Sequence, residues 1–157
     1  RASDSKRNRE NLVLIDNDTP ANVVERTKLI CRLAGAKAVV VQGIPRSKLS
    51  ALYQRAKVVV DWCMRGSERM PLEAALNGVL LLTSNCQSAT DPRDFPLPSM
   101  ALTTLPALET ALRNLLDHYE MHWHTYAPLR NLYRNITPSS MAGEAATFLK
   151  TIQSVPS

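Results

Sequence analysis

Short apolar runs alternate along the first two thirds of the chain with longer stretches whose apolar positions recur at helical spacing. Residues 11–16 (N-L-V-L-I-D) read as a buried strand that ends in the polar turn Asp16, Asn17, Asp18, Thr19, Pro20. A helix is predicted next, with Thr19 as N-cap and Pro20 in the first turn. Its core stripe is Val23, Val24, Thr27, Ile30, Cys31 and Ala34, and Gly35 stops it. Residues 38–41 form the second strand, closed by Gly43. Ser47 opens a helix carrying Leu49, Leu52 and Ala56, and residues 58–62 are the most apolar strand. The same alternation continues with a loop over 64–67 and a helix over 68–77, with Pro71 in its first turn and Gly78 as C-terminal cap. Residues 79–83 make a fourth buried strand.

Strands separated by single helices imply right-handed crossovers and a parallel sheet covered on both faces, an α/β fold. Residues 84–98 read as a polar loop punctuated by proline, and everything beyond Leu105 as helical: 106–118, a continuation or second helix to 133, and a last helix over 138–153. The expected organisation is a linker or the end of a preceding region over 1–10, an α/β domain over 11–105, and C-terminal helices over 106–157 packing on the same domain. The polar start without methionine (Arg1, Ala2, Ser3, Asp4, Ser5) suggests a piece of a longer protein.

Composition narrows the classes. With 157 residues, 45% of them hydrophobic, the chain has material for one core and is not expected to be disordered. No apolar run approaches the ~18 to 20 residues of a membrane-spanning helix, so a soluble chain is expected. Nineteen basic against fourteen acidic residues give a formal charge of +5, but two Phe, four Tyr and two Trp offer no stacking platform for nucleic acid. A mildly basic surface suits small phosphorylated molecules at least as well. Cys31, Cys63 and Cys86 are odd in number and widely spaced, which argues for reduced thiols rather than a disulfide framework or a zinc knuckle. The compartment stays open.

Ligands of open parallel sheets bind beyond the carboxyl ends of the strands. That places the candidate chemistry in residues 16–19, 43–47, 61–69 and 83–85. In the third of these loops Gly66 and Ser67 lead into a helix start, where backbone N–H groups and the permanent charge of Arg69 can meet a phosphate. Glu73, one turn on, can accept from a ribose or sugar hydroxyl pair. Equally, Arg69 and Glu73 fit an i, i+4 surface pair. Neither a P-loop nor a dinucleotide fingerprint is present, and no serine has a G-x-S-x-G context. His118 and His122 have a spacing able to hold zinc, with His124 nearby, but no third ligand accompanies them; solvated helix histidines and no metal are expected.

The run G-I-P-R-S-K-L-S-A-L-Y-Q-R-A-K-V-V-V-D (43–61) resembles a stretch of the nucleotide-sugar-binding, carboxy-terminal half of GT-B glycosyltransferases, in which a helix carries an L-x-x-L-Y-x-x-A core. The run R-G-S-E-R-M-P-L-E-A-A-L-N-G-V-L-L-L-T-S (65–84) resembles the family's E-G-F-G-x-x-x-L-E-A-x-A-x-G-x-P-V-V-x-S signature. It is closer still to a branch with a D-x-G-x-x-P-G-K-D-R-x-P-R-E-A-A pattern and a later D-x-P-I-P loop, here Asp94, Phe95, Pro96, Leu97, Pro98. The resemblance implies a Rossmann-like domain with a helical C-terminal extension that binds a nucleoside diphosphate sugar as substrate, without a separate cofactor. By the same resemblance Glu73 holds the donor ribose, Arg69 matches the closer branch, and Gly66 is the turn glycine. Sugar transfer then requires an N-terminal domain supplying acceptor and assisting groups, and the chain alone is expected to be inactive. Arg65 stands where the broad family has its first glutamate, near the donor sugar. The first loop, from which Asn17 and Thr19 would make contacts, lacks the glycine and lysine that often meet the diphosphate, and its aspartates would repel it.

A second resemblance is to response-regulator receiver domains, whose acidic residues, phospho-accepting aspartate and threonine fall in the order of Asp16, Asp18, Asp61 and Thr83. Leu105 replaces their lysine, and the interval from Asp61 to Thr83 is short for that family. A non-catalytic Rossmann-like interaction module is the third reading.

Overall fold

The computed structural model describes residues 9–62, 69–93 and 95–135. Four strands, β1 (Glu10–Asp16), β2 (Lys37–Val41), β3 (Ala56–Asp61) and β4 (Leu80–Thr83), form one wholly parallel sheet in the order β2-β1-β3-β4. β1 and β3 inside the sheet, and β4 at one edge, owe their burial to unbroken apolar runs. Residues Val13, Leu14 and Ile15 of β1, Val58 to Val60 of β3 and Leu80 to Leu82 of β4 have no exposed surface, as a sheet covered on both faces demands. β2, at the edge, is half-buried from Ala38 to Val41. The fold is therefore α/β and Rossmann-like.

The crossover helices are α1 (Ala21–Leu33), α2 (Arg46–Arg55) and α3 (Arg69–Leu76). The chain steps from β1 outward to β2, then back across β1 to β3 and on to β4. Right-handed crossovers then put α1 on one face and α2 and α3 together on the other. α1 buries Val24, Thr27 and Cys31 of its expected stripe, with Val23 and Ile30 half-buried.

Two helix starts differ from expectation. Pro20 and Pro45 themselves are the N-caps of α1 and α2, with φ near −55° and extended ψ, and neither cap makes a side-chain hydrogen bond. Thr19 is buried one position earlier and caps nothing. Proline's fixed φ supplies the cap geometry, and the N–H it lacks has no partner at that position anyway. Ala56, expected on the second helix, is extended and fully buried as the first residue of β3, so helix and strand abut without a loop. Gly78 ends α3 with φ +80°, as the sequence predicts.

At the amino end of the sheet Arg9 ties the two helices of one face together. Its guanidinium donates to the carbonyls of Tyr53 (2.6 Å) and Ala56 (2.5 Å) at the end of α2, and to that of Asn77 just past α3. These are carbonyls that a helix end leaves without an intrahelical partner. The polar stretch read as a linker thus gives way to the fold at Arg9, and β1 starts at Glu10.

Beyond β4, the expected loop contains one helical turn, α4 (Gln87–Thr90), and a 3-10 turn (Ser99–Ala101). Phe95 pins this segment down. It is 2% exposed and packs edge-on to Tyr133 with ring centroids 6.0 Å apart. The following helices are α5 (Leu108–Asp117), α6 (Tyr119–Thr125) and α7 (Ala127–Asn135), separated at His118 and Tyr126. Leu108, Leu112, Leu115 and Leu116 of α5 lie on one side and join the sheet's core. Two long-range hydrogen bonds fasten these short helices to the sheet: Tyr119 Oη donates to the Gly78 carbonyl at 2.7 Å and Tyr126 Oη to the Leu81 carbonyl at 2.6 Å. Seven residues apart, the two tyrosines share one helical face, and both hydroxyls reach the sheet. The helix expected over 138–153 lies outside the described residues. Among the described residues no helix is long and apolar enough to cross a membrane, and Cys31 and Cys86 are free thiols, with Cys63 outside them.

Candidate functional site

The strand order reverses between β1 and β3, and above the carboxyl ends at that point lies a cleft of about 490 Å³. The end of β1 and its loop supply Asp16, Asn17 and Asp18. Val41 and Ile44 come from the end of β2 and beyond it, Leu49 and Tyr53 from α2, and Arg69, Met70 and Glu73 from α3. Residues far apart in sequence thus meet because α2 and α3 share one face while β1 ends beneath both.

Arg69 and Glu73 sit one turn apart on α3 and form the ion pair their spacing predicts, Arg69 Nε donating to Glu73 Oε1 at 2.7 Å. That hydrogen bond holds the guanidinium even more firmly protonated than usual. The Arg69 side chain is 64% exposed and that of Glu73 24%, so the arginine is the mobile member at the rim and the carboxylate the member set into the wall. The surface-pair and ligand readings are compatible: an exposed pair of this kind is weak and opens easily.

On the opposite wall, Asp16 Oδ2 accepts from the backbone N–H of Asp18 at 3.0 Å, which folds the loop back on the strand end. Asn17 and Asp18 are exposed and line the cleft, whereas Thr19 is buried and is not among the lining residues. Arg65, Gly66 and Ser67 lie outside the described residues, as does Asp94 of the D-x-P-I-P loop. Among the described residues, three carboxylates and one arginine therefore line this cleft. Such a lining accepts hydrogen bonds from hydroxyl groups and offers Arg69 as a cationic anchor.

Sequence reasoning missed Tyr53 as a cleft residue. It stands in the L-x-x-L-Y-x-x-A stretch as an apparent core position, and it is 2% exposed. Its hydroxyl has no hydrogen-bond partner. Burial, with the charge of Glu73 second, pushes that phenol up to about 12.

Asp61 and Thr83 close neighbouring strands in register, but Asp61 is only 2% exposed, too enclosed for attack on a phosphodonor. Among the described residues no group of three or more His, Cys, Asp or Glu side chains could hold a metal ion, so Asp16, Asp18 and Asp61 do not form the cluster a receiver uses. Of the three histidines, His118 and His124 are exposed as expected, while His122 is 4% exposed with both ring nitrogens unpartnered. The break at His118 restarts the helix and turns His122 inward. Burial and then the neighbouring His118 lower its proton affinity.

No family model matches the chain, and no curated protein matches it. Among solved structures the chain is similar to the catalytic domain of cholesterol-alpha-glucosyltransferase from Helicobacter pylori, with 19% identity and a TM-score of 0.49 over 80% of this chain and 79% of that one. The functional reading rests on the cleft itself.

Proposed function

We propose that the chain is the donor-binding half of a glycosyltransferase, taking a nucleoside diphosphate sugar in the cleft between β1, α2 and α3. The observation that carries this reading is the lining at the strand-order reversal, where the described residues bring three carboxylates and the exposed Arg69 to one cleft. A bare polyphosphate would be repelled there, whereas a polyhydroxylated ligand with one anionic segment meets acceptors for its hydroxyls and a cation for its charge. Arg69 would leave Glu73 for the diphosphate and offset charge as it departs in transfer. Glu73 would then accept from the ribose. Residues 11–105 would form the donor domain and 106–157 its packing helices. The acceptor and the groups assisting transfer would come from a second, N-terminal domain, so the chain alone turns nothing over.

The test is nuclear magnetic resonance titration with UDP and GDP in the absence of divalent ions. Amide shifts are expected at residues 69–73, and Arg69→Ala and Glu73→Ala should each weaken binding more than about tenfold. Unchanged affinity in both variants would leave Arg69 and Glu73 a surface pair. Shifts confined to Asp16, Asp18 and Asp61, appearing with magnesium and beryllofluoride, would replace the reading by a receiver.

A further inference from the structure

Behind the main cleft, on the same face, lies a smaller hollow of about 250 Å³ lined by Leu49, Ser50, Tyr53, Glu73 and Asn77. Leu49, Tyr53 and Glu73 line both spaces and so form the partition between them. Two of these three partition residues are polar. Glu73 is held from the rim by Arg69, while the Tyr53 hydroxyl is fully buried and bonded to nothing. Buried hydroxyls are normally satisfied, and one left orphaned beside a binding cleft calls for an explanation.

The surroundings restrict what could satisfy it. Asp16 and Glu73 both bring negative charge to bear on Tyr53, with Arg69 opposing them. A phosphate oxygen would therefore meet repulsion at this depth, whereas a neutral hydroxyl can both give and take a hydrogen bond. The phenol donates one bond and the carboxylate only accepts. Lining one partition, they complement two adjacent hydroxyls, each of which offers one proton and accepts another. The Arg69 pairing that restrains Glu73 is also the contact with which an anionic ligand group competes.

We propose that Tyr53 is a ligand-binding residue whose hydroxyl, together with the Glu73 carboxylate, holds the vicinal diol of a ribose in the partition between the two hollows. The inference rests on the donor-binding reading and adds to it the residue that distinguishes a ribonucleotide from its deoxy counterpart. The phenol stays neutral throughout and takes no part in bond breaking. Its contribution is a hydrogen bond to the ribose alone.

The experiment is titration calorimetry of the chain and of Tyr53→Phe with UDP, GDP and their 2′,3′-dideoxy analogues, with thermal melting of both proteins without ligand. The wild type is expected to bind a ribonucleotide about tenfold more tightly than its dideoxy analogue. Tyr53→Phe should bind the two alike, while melting at the same temperature or higher because an unsatisfied hydroxyl has been removed. A third measurement follows the ζ-carbon resonance of Tyr53 in tyrosine-labelled wild type, so the result stands even if the variant folds poorly. It should move with UDP and stay in place with the dideoxy analogue. A wild type that binds UDP or GDP with an unmoved Tyr53 resonance, or a Tyr53→Phe variant with undiminished preference for the ribonucleotide, overturns this inference alone. A wild type that binds neither diphosphate overturns the donor reading and this inference with it.

Discussion

Gly78 leaves no room for a side chain. A β-carbon built there would stand 2.8 Å from Trp123 Nε1 and 3.3 Å from Arg9 Nη2, and φ is +80°. Gly35 has a similar φ of +76° but open space around it. Comparing the two separates backbone strain from collision. Gly35→Ala should cost about 1 to 2 kcal/mol, the strain of a left-handed residue. Gly78→Ala should cost about 2 to 4 kcal/mol, because the indole wedged against α3 must move as well. Urea unfolding of both variants checks the difference, and equal losses would mean that Trp123 yields without cost. Trp123 has little freedom to yield, since Arg130 lies over its ring with the guanidinium carbon 3.6 Å from the centroid.

Among the elements, α6 carries a titration built in by its own break. His122 is buried without a partner for either nitrogen, and its proton affinity in the fold is below the ordinary value of 6.5. The unfolded chain therefore takes up the proton first, so stability is complete above that value and declines as the pH falls through it toward the folded-state value. Melting should shift downward as the pH falls below the ordinary value of 6.5, and His122→Leu should flatten that part of the profile. An unchanged slope in the variant would assign the acid sensitivity to other groups. This buried histidine also shows where the sequence was legible and where it was not. The four strands could be read from their apolar runs, and Arg69 and Glu73 from their spacing after a strand, because those signals are local. The turn of His122 into the interior was hidden, because it depends on Tyr119 and Tyr126 reaching carbonyls of β4 and the turn before it, more than 40 residues back. Tyr53 was concealed for a related reason: on its own helix it looks like any other core aromatic, and only α3 alongside makes it part of a cleft wall.

Across the whole molecule, Arg9 joins parts that the sequence gives no reason to connect. One guanidinium from the residue before β1 gathers the ends of α2 and α3 and lies 5.7 Å from the centroid of the Tyr119 ring. Arg9→Leu keeps the apolar stem but strands three carbonyls, and should cost about 2 to 3 kcal/mol in unfolding free energy. Arg9→Lys should recover only part of this loss, since one ammonium cannot reproduce the flat fork that spans two helix ends. Full rescue by lysine would show that charge alone matters there.

Two of the carbonyls gathered by Arg9, those of Ala56 and Asn77, lie just past the C-terminal ends of α2 and α3, and the third belongs to Tyr53 of the cleft wall. Two rods clamped at one end work like tweezers, and a small rotation at the clamp is magnified along their length. For a ten-residue helix about 15 Å long, a turn of about 5° at Arg9 displaces the far tip by about 1.3 Å. The width of the cleft between α2 and α3 is therefore set partly from the amino end of the sheet. Evolution or engineering can widen or narrow it there without altering Arg69 or Glu73.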